Sequence, residues 1–304
     1  MNIYNEFLDE LKEKIEPSWI FLEEPMKKHT TFRVGGPADV LVTPDTRSVS
    51  VVIDLCKKYQ LPYYVIGNGS NLLVGDKGIR GVVIVMTNRA GDIVCDHEII
   101  TAGAGCTLAQ IAVLAAGNGL AGFEFAAGIP GTLGGAVVMN AGAYGGEMKD
   151  VVASAVVLDE EGNIKTLTNE ELEFGYRHSC ITENRYIVLR VTIKLSRGAV
   201  STIRKKMAEL REQRISKQPL EYPSAGSTFK RPAGYFAGKL IMEAGLRGYQ
   251  VGGAQVAEKH CGFVINKADA AASDIVQLME DVSRKVEEQF GVRLEPEVKM
   301  MGEF

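Results

Sequence analysis

The sequence predicts an α+β protein of two domains divided near residue 200, and three observations carry that prediction. Along the first two hundred residues the apolar period changes between that of strands and that of helices. A charged helical stretch, Thr202 to Ile215, then runs through Lys217-Gln218-Pro219 and Tyr222-Pro223, a breaker cluster suited to a boundary. Beyond it lie further periodic helices and strands sufficient for a separate core.

The elements follow in order. The N-terminal stretch is acidic and amphipathic, with Ile3, Phe7, Leu8, Leu11 and Ile15 on one helical face, and it lacks the basic start of a targeting segment. HTTFRVGGPADVLVTP reads as strands joined by tight turns. Ser48 to Tyr59 is a predicted helix, followed by YYVIG, GVVIVM and EIITAG as strands and by a helix over Leu108 to Asn118 capped by Thr107. VVASAVVLDEEGNIKTL turns as a hairpin at Glu161-Gly162-Asn163, and YIVLRVTIKL is a further strand. In the remainder, Tyr235 to Ala244 and Ala271 to Phe290 are periodic helices. The second is read as capped by Ser273 and ended by Gly291, with GFVIN and VRLEPEVKMM as strands.

Composition narrows the function classes. At 304 residues, with 46% hydrophobic and 24% charged side chains, the chain has the balance of a soluble globular protein. Thirty-four basic against 38 acidic residues give a net charge of −4, so neither nucleic acid nor an anionic membrane is an expected partner. The five cysteines are widely spaced without C-x-x-C or zinc spacing, and no metal is expected. A cytoplasmic monomer is the corresponding expectation.

The feature that composition does not explain is glycine. Between Gly117 and Gly146 there are ten, in a stretch that also holds Phe123, Phe125, Ile129, Leu133, Val137, Val138 and Met139. Such apolar content argues for burial, and a buried glycine-rich loop is most simply explained by backbone amides facing a phosphate-bearing ligand. Gly67-Asn68-Gly69-Ser70-Asn71, after the strand YYVIG, suits the same purpose, although an ordinary turn explains it as well in isolation. Gly117-Asn118-Gly119-Leu120-Ala121-Gly122 fits G-x-G-x-x-G by letter, but it follows a helix, and no P-loop is present.

Five segments, IGNGSNLLVGDKGIRGVVI, GIPGTLGGAVVMNAGAYG, FGYRHS, SAGSTFKRP and LEPEV, occur in the order and rough spacing of the UDP-N-acetylenolpyruvoylglucosamine reductases. The chain resembles that family from about His29 to Val298. The resemblance implies a two-part FAD-binding domain of the vanillyl-alcohol-oxidase-like type over residues 1–200, its lobes divided near 85–95. A smaller α/β substrate-binding domain is implied over 201–304. It further implies FAD held non-covalently and NADPH as electron donor. The implied reaction is reduction of UDP-N-acetylenolpyruvoylglucosamine to UDP-N-acetylmuramate in peptidoglycan precursor synthesis, a hydride going to C3 and a proton to C2.

By resemblance, Arg177 is the family's arginine, Ser227 its proton donor and Glu297 its catalytic glutamate. Arginine offers a permanently charged fork of donors to a carboxylate, and a hydroxyl can protonate a strongly basic enolate-like carbon. Without the motif, Arg177 reads as a surface arginine at a strand end and Ser227 as a turn residue; Glu295 is the decoy beside Glu297. The flavin is implied to lie against Gly67, Asn68, Gly69, Ser70, Asn71, Gly131, Thr132, Gly134, Gly135, Asn140 and Ala141, with Arg33 and Arg214 as further contacts. Lys217, Lys230, Gln255 and His260 are the expected substrate-side residues. Ser227 follows Arg177 by only fifty positions, which resembles the short form of the family, without the inserted tyrosine that closes over the substrate. Tyr222 and Tyr235 are positional alternatives. Two rivals remain at this stage: a flavin oxidase or dehydrogenase of the same fold, which needs no proton donor, and a sugar-nucleotide-binding protein without turnover.

Overall fold

The computed structural model describes residues 3–304, and the chain divides into two compact units. The first takes the residues up to Phe21, Leu41–Asn68 and Val82–Arg214; the second takes Leu22–Val40, Gly69–Gly81 and Ile215–Phe304. The sequence suggested one boundary near 200, whereas here two early stretches group with the C-terminal residues. The reason is long-range pairing that local periodicity does not report: Leu72–Val74 pairs in parallel with Lys299–Met301, Leu72 opposite Lys299.

In the first unit, helix Ile3–Lys14 buries Phe7 and Leu11, and Phe7 meets Tyr59, just past helix Ser48–Lys58, edge-on at 6.0 Å between ring centroids. Tyr63–Ile66 pairs in parallel with Val82–Val85. The main sheet has five strands in the order Ile164–Thr168, Val152–Leu158, Ile187–Lys194, Ile99–Gly103 and Ile93–Asp96, all neighbours antiparallel. Gly162 turns the predicted hairpin at φ 91, and Asp159 Oδ1 accepts from Asn163 N at 2.7 Å. Helix Leu108–Gly117 starts in a capping box, Thr107 and Gln110 each satisfying the other's backbone amide.

One expectation changes here. The glycine-rich stretch was read as loop, yet Leu133–Val138 forms a short helix containing Gly134 and Gly135. Each glycine costs about 1 kcal/mol of helix propensity relative to alanine. Close packing outweighs that cost at Gly134, where a Cβ would stand 2.8 Å from Ala104 Cβ.

In the second unit, an antiparallel sheet in the order Ser224–Ser227, Phe263–Asn266, Ala254–Val256, Gln250–Val251 is backed by helices Ala237–Glu243 and Ala272–Phe290. The longer helix buries Ile275, Leu278, Met279, Val282 and Val286, the spacing of one helical face. Each such side chain contributes about 1.5–3 kcal/mol on burial. Phe32, Val34 and Leu73 join that core. Gly291 ends the helix at φ 68, but Ser273 is not its cap. Asp76 is: its two carboxylate oxygens accept from Ala272 N at 2.7 Å and Ser273 N at 3.0 Å. VRLEPEVKMM also shortens, with regular strand only from Lys299 to Met301, because Glu297 N donates to Thr228 O at 2.8 Å instead of continuing the ladder. Among the described residues no helix is long and apolar enough to cross a membrane.

Candidate functional site

In the first unit the two glycine segments meet. Asn68 Nδ2 donates to Pro130 O at 2.8 Å, and a Cβ on Gly67 would run into Thr132 Oγ1. Gly131 O accepts from Leu108 N at 3.1 Å, while Leu133 N and Gly134 N donate to Cys106 O and Ala104 O at 2.8 and 2.9 Å. The loop is thereby fixed by backbone bonds to its neighbours. Thr132 Oγ1 is buried and lacks a protein partner, a costly state for a hydroxyl unless a bound polar group completes it. Beside Gly135 there is room, since a Cβ there would come no nearer than 3.5 Å to Thr132 Oγ1. An orphan hydroxyl in a cradle kept open by glycine fits a dinucleotide's phosphates. Arg214 adds a cation: its side chain lies over Gly128, burial pulls its guanidinium below the ordinary arginine range, and its electrostatic neighbour is the Tyr144 hydroxyl.

Arg177 stands in a tight turn of the same unit. Gly175 N donates to His178 O at 3.0 Å and His178 N to Gly175 O at 3.3 Å, with Arg177 third of the four residues at φ 54. That position favours glycine or asparagine, and arginine there costs on the order of 1 kcal/mol or more. The neighbouring Tyr176 ring is exposed, with the Arg177 guanidinium 5.3 Å from its centroid. Both amide hydrogens of Asn140 are used within the protein, toward Gly175 O and Glu147 Oε2, at 2.9 and 2.6 Å. Ala141 sits within the same backbone network, its N donating to Ala136 O and its O accepting from Met148 N.

The second unit carries the other residues. Ser227 is exposed at the end of its strand, opposite Phe263, and follows Gly226 at φ 76. Thr228, fully buried, anchors the position: its N donates to Gly262 O, its O accepts from Glu297 N, and its Oγ1 accepts from Val264 N at 2.9 Å. The backbone thus brings Glu297 beside the residue that follows Ser227. Asn71 strengthens this, Nδ2 donating to Glu297 O at 3.1 Å and its own O accepting from Lys299 N. Gly69, at φ 60, leaves no space for a side chain against His29 O, and Ser70 continues that turn. Glu295 separates cleanly from Glu297, because it is exposed and paired with Lys230 Nζ at 3.2 Å. Lys230 is therefore partly committed to that ion pair.

The Gln255 amide donates to Gly248 O and Gln250 Oε1, at 3.3 and 3.4 Å, within its own hairpin. His260 is partly buried, burial lowering its pKa, and Nδ1 accepts from Gly262 N at 3.2 Å, so its tautomer carries the proton on Nε2. Lys217 and Arg33 are exposed, Arg33 at φ 55. Tyr222 packs on Ala257, Phe263 and Ile265 and carries Lys267 over its ring at 4.1 Å, while Tyr235 is exposed. Sequence reasoning missed Thr228, Asp76 and Gln218, whose Oε1 is, among the described residues, a further buried side-chain acceptor without a partner.

Residues 218–301 match the family described as UDP-N-acetylenolpyruvoylglucosamine reductase, C-terminal domain, and residues 37–168 match the FAD binding domain. The reductase of Agathobacter rectalis is 56% identical over 98% of this chain and 99% of its own length.

This chain belongs to the UDP-N-acetylenolpyruvoylglucosamine reductase family.

The reductase of Caldanaerobacter subterraneus, 54% identical over 97% of the chain and 98% of its own, agrees. The crystal structure of the Thermus caldophilus reductase superimposes with a TM-score of 0.78 at 38% identity, covering 93% of this chain and 98% of that one. An alkyldihydroxyacetonephosphate synthase at 18% identity and TM-score 0.50 shares only the fold, over 65% of the chain. The two-part flavin-binding architecture implied by the sequence is thereby established.

Proposed function

We propose that the chain reduces UDP-N-acetylenolpyruvoylglucosamine to UDP-N-acetylmuramate for peptidoglycan synthesis, as an FAD-dependent oxidoreductase using NADPH. The observation that carries this is the near full-length match to reductases of that name at 52–56% identity, with all five motifs intact. FAD, when bound, supplies the two-electron chemistry, relaying reducing equivalents from NADPH to the enolpyruvyl double bond. The residues suited to its phosphates are Gly67, Asn68, Gly131 and Thr132, with Arg214 as counter-charge.

The protein's own work is on charge and protons. Adding electrons at C3 drives negative charge into the substrate carboxylate, and Arg177 supplies two parallel N–H donors to it. An aimed guanidinium stabilises that charge most where water is excluded, and it stays protonated throughout. Ser227 delivers the proton to C2; a hydroxyl serves because the C–H being formed is a far weaker acid than an alcohol, and the serine oxygen regains its proton from solvent before the next turnover. Glu297, partly buried where Glu295 is exposed, is the carboxyl proposed to act on the intermediate. Lys217, Lys230 and His260 are proposed on the sugar-nucleotide side.

The test is an anaerobic absorbance titration. NADPH should bleach a flavin band, and the enolpyruvyl sugar nucleotide should restore it without oxygen. Restoration by oxygen alone would instead indicate an oxidase, and binding of the nucleotide without any flavin band would indicate a protein that only binds.

A further inference from the structure

Arg177 occupies a backbone conformation that its own side chain disfavours, so something outside the turn has to hold it there. Two side chains do so, one on each flank. Ser179, fully buried, donates from Oγ to Val138 O at 2.9 Å, and Asn140 donates from Nδ2 to Gly175 O at 2.9 Å. Both reach the same place, the C-terminal end of the short helix whose first residues continue the glycine cradle.

Asn140 is built for this. It is 1% exposed and itself at φ 41, a conformation that asparagine tolerates better than other side chains apart from glycine. Its second amide hydrogen goes to Glu147 Oε2, and its Oδ1 accepts from Lys149 N at 2.9 Å, so the amide cannot flip without losing all three bonds. Lys149 Nζ in turn reaches Glu147 Oε1 at 2.7 Å, which closes the ring of contacts.

We infer that Asn140 is a positioning residue for the proposed reduction: through Gly175 it holds the turn that presents Arg177, rather than binding the cofactor with its side chain. The inference rests on the proposed function for its kinetic consequence, but not for its structural one. Removing the amide frees Gly175 O from one of its two donors and lets Arg177 relax to negative φ. Displacement of a reacting group by about 1 Å can cost about 100-fold in rate.

The test uses the FAD-loaded full chain with Asn140→Gly, which relieves the backbone of residue 140 while deleting the bonds, and Asn140→Asp, which keeps the size but removes both donors. Flavin retention and bleaching by NADPH should match the parent, while reoxidation by the enolpyruvyl sugar nucleotide slows about 100-fold. In an Arg177→Ala background neither variant should slow reoxidation further, because the effect runs through Arg177. A crystal structure of Asn140→Gly should show Arg177 at negative φ. Loss of flavin, equal slowing of both half-reactions, an undiminished effect in the Arg177→Ala background, or Arg177 still near its parental φ would each overturn the inference. If the parent itself is not reoxidised by that substrate, the functional reading fails instead, and the crystal structure still decides whether Asn140 holds the turn.

Discussion

The turn around Arg177 and the strand end at Ser227 hold their side chains by opposite means. Arg177 sits at φ 54 in a turn that relies on Asn140 and Ser179 from elsewhere in the chain. Ser227 ends a strand in register with Phe263, and the hydrogen bonds of the next residue, Thr228, fix it with no strain of its own beyond the glycine before it. The contrast teaches that a permanently charged group and a hydroxyl proposed as proton donor need different support. The guanidinium has a long reach and has to be aimed; the hydroxyl has one short bond and takes its position from the backbone itself.

The largest effects should come from the side chains. Ser227→Ala should leave bleaching by NADPH intact and slow reoxidation by substrate by about 100- to 10,000-fold in stopped-flow absorbance, without loss of stability. If both half-reactions slow equally, Ser227 is not the proton donor. Arg177→Gly sharpens the comparison from the other side: reoxidation should collapse while the protein gains on the order of 1 kcal/mol in urea unfolding, from relief of the positive φ. Equal or lower stability would mean that the turn is not strained.

Next in size is the support under Ser227. Thr228→Val removes the acceptor of Val264 N inside the core and should cost about 1–3 kcal/mol, with reoxidation reduced only as far as the strand end loosens. Asp76→Ala deletes the remote cap of helix Ala272–Phe290 and should cost about 1 kcal/mol. Burial alone would raise the Asp76 pKa, but the amides of Ala272 and Ser273 hold it below the usual aspartate value. A depressed folded-state pKa contributes stability that is present above the unfolded value, about 3.9, and is lost as pH falls through the folded one. The parent should therefore lose more stability than Asp76→Ala on going from pH 5 to pH 3. Glu295→Gln, which breaks only an exposed ion pair with Lys230, should change neither stability nor turnover measurably, whereas Glu297→Gln should slow reoxidation.

What was legible in the sequence divides along the same line. Helices with a full apolar face, such as Ala272–Phe290, and capped ones, such as Leu108–Gly117, could be read directly, because their signals lie within a few residues. The motifs pointed to Arg177, Ser227 and Glu297 without telling how any of them is held. Asp76 caps a helix almost two hundred positions away, so the nearby Ser273 took its place in the local reading. Gly134-Gly135 masked a helix because propensity describes the isolated segment, not its contact with Ala104. Asn140 is named as a flavin contact by the resemblance alone, which carries no information about where its amide points; its donors are directed inward, toward Gly175 and Glu147.

The pairing of Leu72–Val74 with Lys299–Met301 also bears on biosynthesis. A ribosome adds about 5–20 residues per second, so the earlier strand waits roughly 10–45 s for its partner to be made. The same delay applies to Asp76 and the helix it caps. During that interval Leu73 and Val74, fully buried in the finished protein, have no partner in the second unit's C-terminal portion. The nascent chain thus carries an apolar strand whose edge is covered only once Lys299–Met301 have been made, and a chain stopped before them leaves it open to chaperones and proteases.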